Sequence, residues 1–264
     1  MSPLLRNRLL VTLGPTQITI TKIQRGWNPK AAESIVIDVA LSEAGNKWAA
    51  PILGLQTWLE KEKFSATNLM VIVSDSFTRY GLLPWVGKLT NHSELMTLAH
   101  IHFNNLYGPP SANWIITADK GEYEKARIGC ALDQTLITSI GELCKVSRLK
   151  LVSLQPNFMQ VYNHWRLSIG VDALFGVLEP DQCVLASLKN GHWHSIRTIK
   201  FANFFEVDVS QLMEREILLQ GLSAQVKRYL HSGNFVLLEA IRGLSNITIL
   251  ESQDGSNLSM FGES

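Results

Sequence analysis

The stretch Leu174-Phe175-Gly176-Val177-Leu178-Glu179-Pro180-Asp181-Gln182-Cys183-Val184-Leu185 decides how the chain is read. Two apolar runs flank a Glu-Pro-Asp turn, which makes a strand pair. A further run, 193–201, follows Lys189-Asn190-Gly191, and Asn-Gly is a strong hairpin signal. Residues 174–201 therefore read as a three-strand meander. The same opening stands at the front of the chain. Residues 9–13 are apolar, Gly14-Pro15-Thr16-Gln17 punctuates, and residues 18–23 alternate with period two. Residues 34–41 add a third, β-branched run. Two halves that each open on a meander point to an internal duplication.

After the first meander the period changes. Leu55, Trp58 and Leu59 share a helical face over 51–61. Residues 69–74 are almost wholly apolar and fit a strand buried on both faces, with a further strand over 80–83. Asn91 and Glu94 have the spacing of a capping box. The helix they open carries Leu95, Leu98, Ala99, Phe103 and Leu106 inward and stops at Gly108-Pro109. Strands over 114–117 and 125–132 lead to Asp133 as the cap of a helix burying Leu136, Ile137, Ile140 and Leu143. A strand over 149–154 and a helix bearing Phe158, Tyr162, Trp165 and Ile169 complete the half. After the second meander the reading is one long helix over 209–230, then short strands over 235–239 and 247–251. This rhythm is that of an α/β layer with crossover helices.

With 264 residues, 46% of them apolar, the chain can bury a core without disulfide or metal, and disorder is excluded for most of its length. Twenty-four basic against 23 acidic side chains give a net charge of +1, so nucleic acid is not an expected partner. Cys130, Cys144 and Cys183 are odd in number and contain no CxxC, which fits buried thiols in a reducing compartment. No apolar run approaches the length of a membrane span. Membrane association is expected only through a partner, which places the chain in the cytoplasm, peripheral to a membrane.

Local chemistry is sparse. His192 and His194 face one side of a strand, but two ligands do not make a metal site, and His100 and His102 do not share a helix face. No metal ion is expected. No nucleophile elbow, P-loop or dinucleotide motif is present. Ser74-Asp75-Ser76 ends a buried strand, where α/β sheets place their sites, and Asp75 could serve there as base or metal ligand. The alternative is a strand-end turn whose Asp and Ser satisfy backbone groups. In Phe77-Thr78-Arg79-Tyr80-Gly81-Leu82-Leu83-Pro84-Trp85, Arg79 and Tyr80 supply a cation and a hydroxyl, and Pro84 with Trp85 an apolar ledge. Such groups anchor interfaces. The alternative is that Trp85 plugs the core.

The segment Ser74 to Trp85, the run Cys130-Ala131-Leu132-Asp133 and the run Leu151-Val152-Ser153-Leu154-Gln155-Pro156 together are similar to the actin-like proteins of type IV pilus biogenesis and type II secretion. That is the PilM and GspL group, with MshI-like proteins included. The resemblance implies a duplicated actin-like, ribonuclease-H-like α/β fold with two mixed-sheet subdomains. The expected division is a first half over 1–170 with an inserted subdomain, a second half over 171–252 and a flexible tail over 253–264. The implied partner is the cytoplasmic tail of an inner-membrane assembly protein; the turn with Arg79, Tyr80, Pro84 and Trp85, read above as interface anchors, is the expected contact surface, and a homodimer is left open. GspL-type chains continue into a membrane helix, and this sequence, ending at Ser264, is expected nearer the PilM type.

The resemblance also raises nucleotide binding. An actin-like phosphate loop has an Asp before a Gly-Thr turn; here Val11, Thr12 and Leu13 precede Gly14-Pro15-Thr16. The second loop is of Asp-x-Gly-Gly type; here it is Glu179-Pro180-Asp181-Gln182, without glycine and with two carboxylates to repel phosphate. Arg242-Gly243-Leu244 is a weak echo of an adenosine loop. Gly14, Thr16, Glu179 and Asp181 are therefore read as degenerate nucleotide-loop positions. The expectation is no cofactor and no catalysis: a pseudo-ATPase scaffold. The alternative is an ATP-binding or ATP-hydrolysing actin-like enzyme in which Asp75 and Asp181 hold magnesium. A ribonuclease-H-like nuclease would need clustered carboxylates that the sequence lacks.

Overall fold

The computed structural model describes residues 7–23, 31–40, 46–64, 67–87, 91–119 and 122–251. The expected tail over 253–264 lies outside the described residues. The chain divides into two compact units, one formed by Met1–Thr78 and Leu132–Asn157, the other by Arg79–Ala131 and Phe158–Ser264.

The first unit is built on a five-stranded sheet. Strands β1 (Arg8–Leu13), β2 (Gln17–Ile23) and β3 (Ala31–Asp38) form the meander, and β4 (Asn68–Val73) and β8 (Lys150–Pro156) extend it, in the order β3-β2-β1-β4-β8. β1 pairs antiparallel with β2 and parallel with β4, and β4 pairs parallel with β8. A parallel step needs a crossover. Helix α1 (Ala49–Lys61) supplies one and α3 (Gln134–Val146) leads into β8. Leu55, Leu59, Leu136 and Ile140 bury their apolar stripes against Val11, Ile18, Ile20 and Val71 of the strands. Asp133 accepts the Thr135 N–H at 2.8 Å, capping α3 as its position predicts.

The second unit repeats the plan. β9 (Ala173–Glu179), β10 (Gln182–Lys189) and β11 (His192–Lys200) form the meander, and β12 (Lys227–His231) and β13 (Thr248–Ile249) extend it in the order β11-β10-β9-β12-β13. The pairing senses match those of the first sheet step for step. Helices α5 (Val209–Leu219) and α6 (Phe235–Ile241) take the crossover places of α1 and α3. Asn190 and Gly191, at φ 52° and 79°, make the tight hairpin turn their identities predict.

A three-stranded sheet completes this unit: β5 (Thr78–Leu83), β6 (Trp114–Ala118) and β7 (Arg127–Asp133), in the order β5-β7-β6. Helix α2 (His92–Tyr107), capped by the Asn91 side chain on the Glu94 N–H at 2.9 Å, packs Leu95, Ala99 and Phe103 against Leu83, Ile116 and Ala131. Tyr80 and Ile128, from the same sheet, join Phe158 of α4 (Asn157–Trp165) and Phe175 and Val184 of the large sheet in another cluster.

Three expectations are corrected. The helix read over 209–230 stops at Leu219, because Gly221 turns the chain at φ 56°, and Tyr229 lies in strand β12. The segment read as a strand over 235–239 is helix α6, whose first turn is capped by Asn234 Oδ1, accepting from the Val236 and Leu237 N–H groups. Ile169 also lies beyond the end of α4, though it remains buried.

Candidate functional site

In sheets of this kind ligands meet the carboxyl ends of the parallel strands. Each unit can be inspected there.

In the first unit β1 ends at Leu13 and passes into Gly14. Its N–H donates to Gln17 O at 2.8 Å, closing the hairpin. A Cβ at Gly14 would stand 2.9 Å from that same oxygen, so the hairpin itself demands the glycine. Pro15 has no N–H. Thr16 is exposed, and its carbonyl accepts the Val39 N–H at 2.8 Å. The equivalent turn of the second unit is Glu179-Pro180-Asp181-Gln182. Pro180 again removes a donor, Gln182 Nε2 donates to Glu179 Oε2 at 3.3 Å, and Asp181 O accepts the Phe201 N–H at 3.1 Å. Both hairpins thus carry Pro at the first loop position and Gln at the return, a repeat that sequence inspection passed over. Anion-binding loops offer backbone N–H groups and glycine; these turns offer proline, and the second adds two carboxylates.

β4 ends in the short 3-10 turn Asp75–Phe77. Ser74 Oγ accepts the Ser76 N–H at 3.1 Å and the Thr78 hydroxyl donates to Ser74 O at 3.4 Å. Asp75 is only 1% exposed. No group of three or more His, Cys, Asp or Glu that could hold a metal ion occurs among the described residues.

The strand-to-helix turn of the second unit is at Ser232-Gly233-Asn234, and Arg242-Gly243-Leu244 follows helix α6. Arg242 caps the end of α6, donating from Nη2 to Glu251 Oε2 at 2.9 Å and pairing with Glu239. At the strand-to-helix turn Ser232 Oγ donates to Leu178 O at 3.1 Å, and the Asn234 side chain takes the first helical amides. The Ser-Gly-Asn signal was legible but was hidden by reading strand β12 as helix. His231, ending β12, donates from Nδ1 to Leu250 O at 2.8 Å.

Burial holds the His231 imidazole below the ordinary value of 6.5, and His102 and His164 are lowered for the same reason. The unfolded chain takes up these protons as pH falls through 6.5 while the folded chain resists them. Stability is therefore full above that pH and declines below it. Urea midpoints should fall between pH 7 and pH 5, and His231→Gln should flatten the decline; an unaltered slope would contradict the assignment.

The candidate partner residues lie along β5 and just beyond it. Arg79 is half-buried, with its guanidinium 6.0 Å from the Trp114 ring centre. Tyr80 is buried, edge-on to Phe158, and its carbonyl accepts the Tyr107 hydroxyl at 2.6 Å. Its ring is therefore part of the core. Pro84 is exposed, and Trp85 is half-buried, edge-on to Tyr123 at 5.3 Å. Arg79 and Trp85 are six positions apart on extended chain, roughly 20 Å. The structure places Arg79 near the start of β5 and Trp85 two positions beyond its end rather than in one cluster.

Two sheets of equal order and sense, each a meander extended by two parallel strands, define the actin-like fold. Solved structures bear this out. The PilM–PilN type IV pilus biogenesis complex matches with a TM-score of 0.63 at 13% identity, over 92% of this chain and 88% of that one. A protein of Bacteroides thetaiotaomicron with an actin-like ATPase fold and unknown function matches with a TM-score of 0.62 at 9% identity, over 99% and 97%. The cytoplasmic domain of EpsL, an inner-membrane component of the Vibrio cholerae type II secretion system, matches with a TM-score of 0.50 at 12% identity, over 96% and 91%. At these identities the likeness is one of fold. No protein-family model matches the chain, and no curated protein matches it. No helix among the described residues is long and apolar enough to cross a membrane.

Proposed function

We propose that this chain is a non-catalytic scaffold that binds the cytoplasmic segment of an inner-membrane component of a type IV pilus or type II secretion-like assembly. The observation that carries the reading is the pair of proline turns. Each of the two hairpins places a proline where a phosphate cradle would offer an N–H donor; the one glycine, Gly14, gives its N–H to Gln17 O, and the second turn adds two carboxylates, so both turns are poor sites for Mg-ATP. Protein binding is what remains for it, and two of the solved structures of similar fold come from pilus and secretion systems. Strand β5 is an edge of its sheet. An extended segment laid along it would meet Arg79 at one end and Pro84 with Trp85 at the other, a β-addition mode of recognition.

The test is calorimetric titration with synthetic peptides covering the cytoplasmic segments of single-span inner-membrane proteins from such assemblies. The reading expects one segment to bind and the others not. Failure of every segment would contradict it. The competing ATP-dependent reading draws on the buried Asp75 at the end of β4 and is decided by nucleotide binding.

A further inference from the structure

The large sheet of the second unit ends, opposite its turn Glu179–Gln182, at the hairpin turn Asn190–Gly191. Ala173, Leu188 and Lys227 stand in register there, with Lys189 opposite His192 on the next strand. Helix α4 ends at this side before β9 begins, and α5 ends here before β12. The segments 170–172, 188–190 and 222–227 surround a cavity of about 620 Å³.

Val171, Leu188, Leu222 and Val226 line that cavity, and further apolar side chains protrude around it. Leu167 is 94% exposed and Val171 66%, on the loop joining α4 to β9; Leu218 is 81% exposed at the close of α5. The Leu167 tip is held firmly. The Ser168 and Ile169 N–H groups both donate to Trp165 O, at 2.8 and 3.1 Å, and Ile169 is buried beneath. Cations flank the tips: Arg166 and Lys227 are exposed, and Lys189 lines the cavity, donating to Gln220 O at 3.4 Å. Two of the carboxylates nearby are engaged. Asp172 Oδ1 accepts the Asn190 N–H at 2.9 Å, and Glu122 faces His192 Nδ1 at 3.6 Å.

We propose that this end of the second unit rests on an anionic phospholipid surface, with Leu167 and Val171 set among the headgroups and Lys189 and Lys227 matched to lipid phosphates. Apolar tips ringed by cations are the composition of a membrane-surface contact. A folded partner would need a separate socket for each protruding tip, whereas the headgroup layer accommodates them without one. The cations select an anionic layer over a neutral one. This contact does not depend on the scaffold reading, and it adds direct lipid binding to the attachment through a partner that the resemblance implies.

The experiment is co-sedimentation of the full chain with vesicles of phosphatidylglycerol and phosphatidylcholine in equal parts, beside vesicles of phosphatidylcholine alone. Binding is expected to the anionic vesicles, to weaken with added salt and to be slight on the neutral ones. Lys227→Gln should weaken it roughly fivefold, and Leu167→Ser roughly tenfold. Both side chains are exposed, so both variants should melt like the parent. No sedimentation with anionic vesicles at low salt, or binding untouched by both substitutions, would overturn the proposal. So would capture of this end by an acidic peptide without any affinity for vesicles.

Discussion

Phe158→Ala is expected to unfold the protein more readily than any surface change, by about 3–5 kcal/mol. Phe158 is fully buried, and its ring meets Tyr80 at 5.5 Å, Phe175 at 5.1 Å and Trp193 at 6.3 Å. It therefore joins α4, the small sheet and the large sheet within the second unit. Truncation removes transfer free energy and leaves a cavity that three rings cannot refill without leaving their rotamers. The melting midpoint should drop by roughly 10 °C for a chain of this size. Phe205→Ala is the control: that ring is 72% exposed, and its loss should leave the midpoint near the parent's. Equal midpoints for the two variants would contradict the packing described.

The double substitution Arg79→Ala with Trp85→Ala is expected to weaken binding of the partner segment at least tenfold, about 1.4 kcal/mol or more. Arg and Trp are the residues that most often anchor interfaces, and here each is held by an aromatic neighbour, Trp114 and Tyr123 respectively. Both side chains remain partly exposed, so the fold should survive, which near-parent melting would verify. Tyr80→Phe should leave binding unchanged, since the Tyr80 ring lies in the core and the backbone carbonyl that serves Tyr107 is kept. Unchanged affinity in the double variant would move the contact away from β5.

The repeated meander was legible in the sequence because its signals are local. Alternation in 18–23, the Asn190-Gly191 turn and the Asn91 and Asp133 caps each act through bonds to near neighbours. The errors came where an apolar period continued past a break. Leu222 and Val226 keep the helical spacing of Leu212 and Leu219, so only Gly221 marks the end of α5. Phe235 to Leu238 is a short apolar run that periodicity cannot assign to helix or strand, and Asn234 was the deciding signal. The site was harder to read. That Gly14 serves its own hairpin, that Tyr80 is core, and that Arg79 and Trp85 stand apart, near the start of β5 and beyond its end, are matters of three-dimensional contact. The apolar tips on the second unit were invisible for the same reason, since Leu167 and Leu218 are exposed only because of where their elements stop.

The central claim is that the two proline turns leave this actin-like fold without a phosphate cradle. Thermal melting with and without Mg-ATP tests it most directly. A ligand present at a hundredfold excess over its Kd would stabilise the folded chain by about 2.7 kcal/mol, a rise of several degrees that is easily read. The account predicts superimposable curves at millimolar Mg-ATP. A magnesium-dependent rise in the midpoint, abolished by Asp75→Asn or Asp181→Asn, would contradict it and restore the ATP-dependent enzyme.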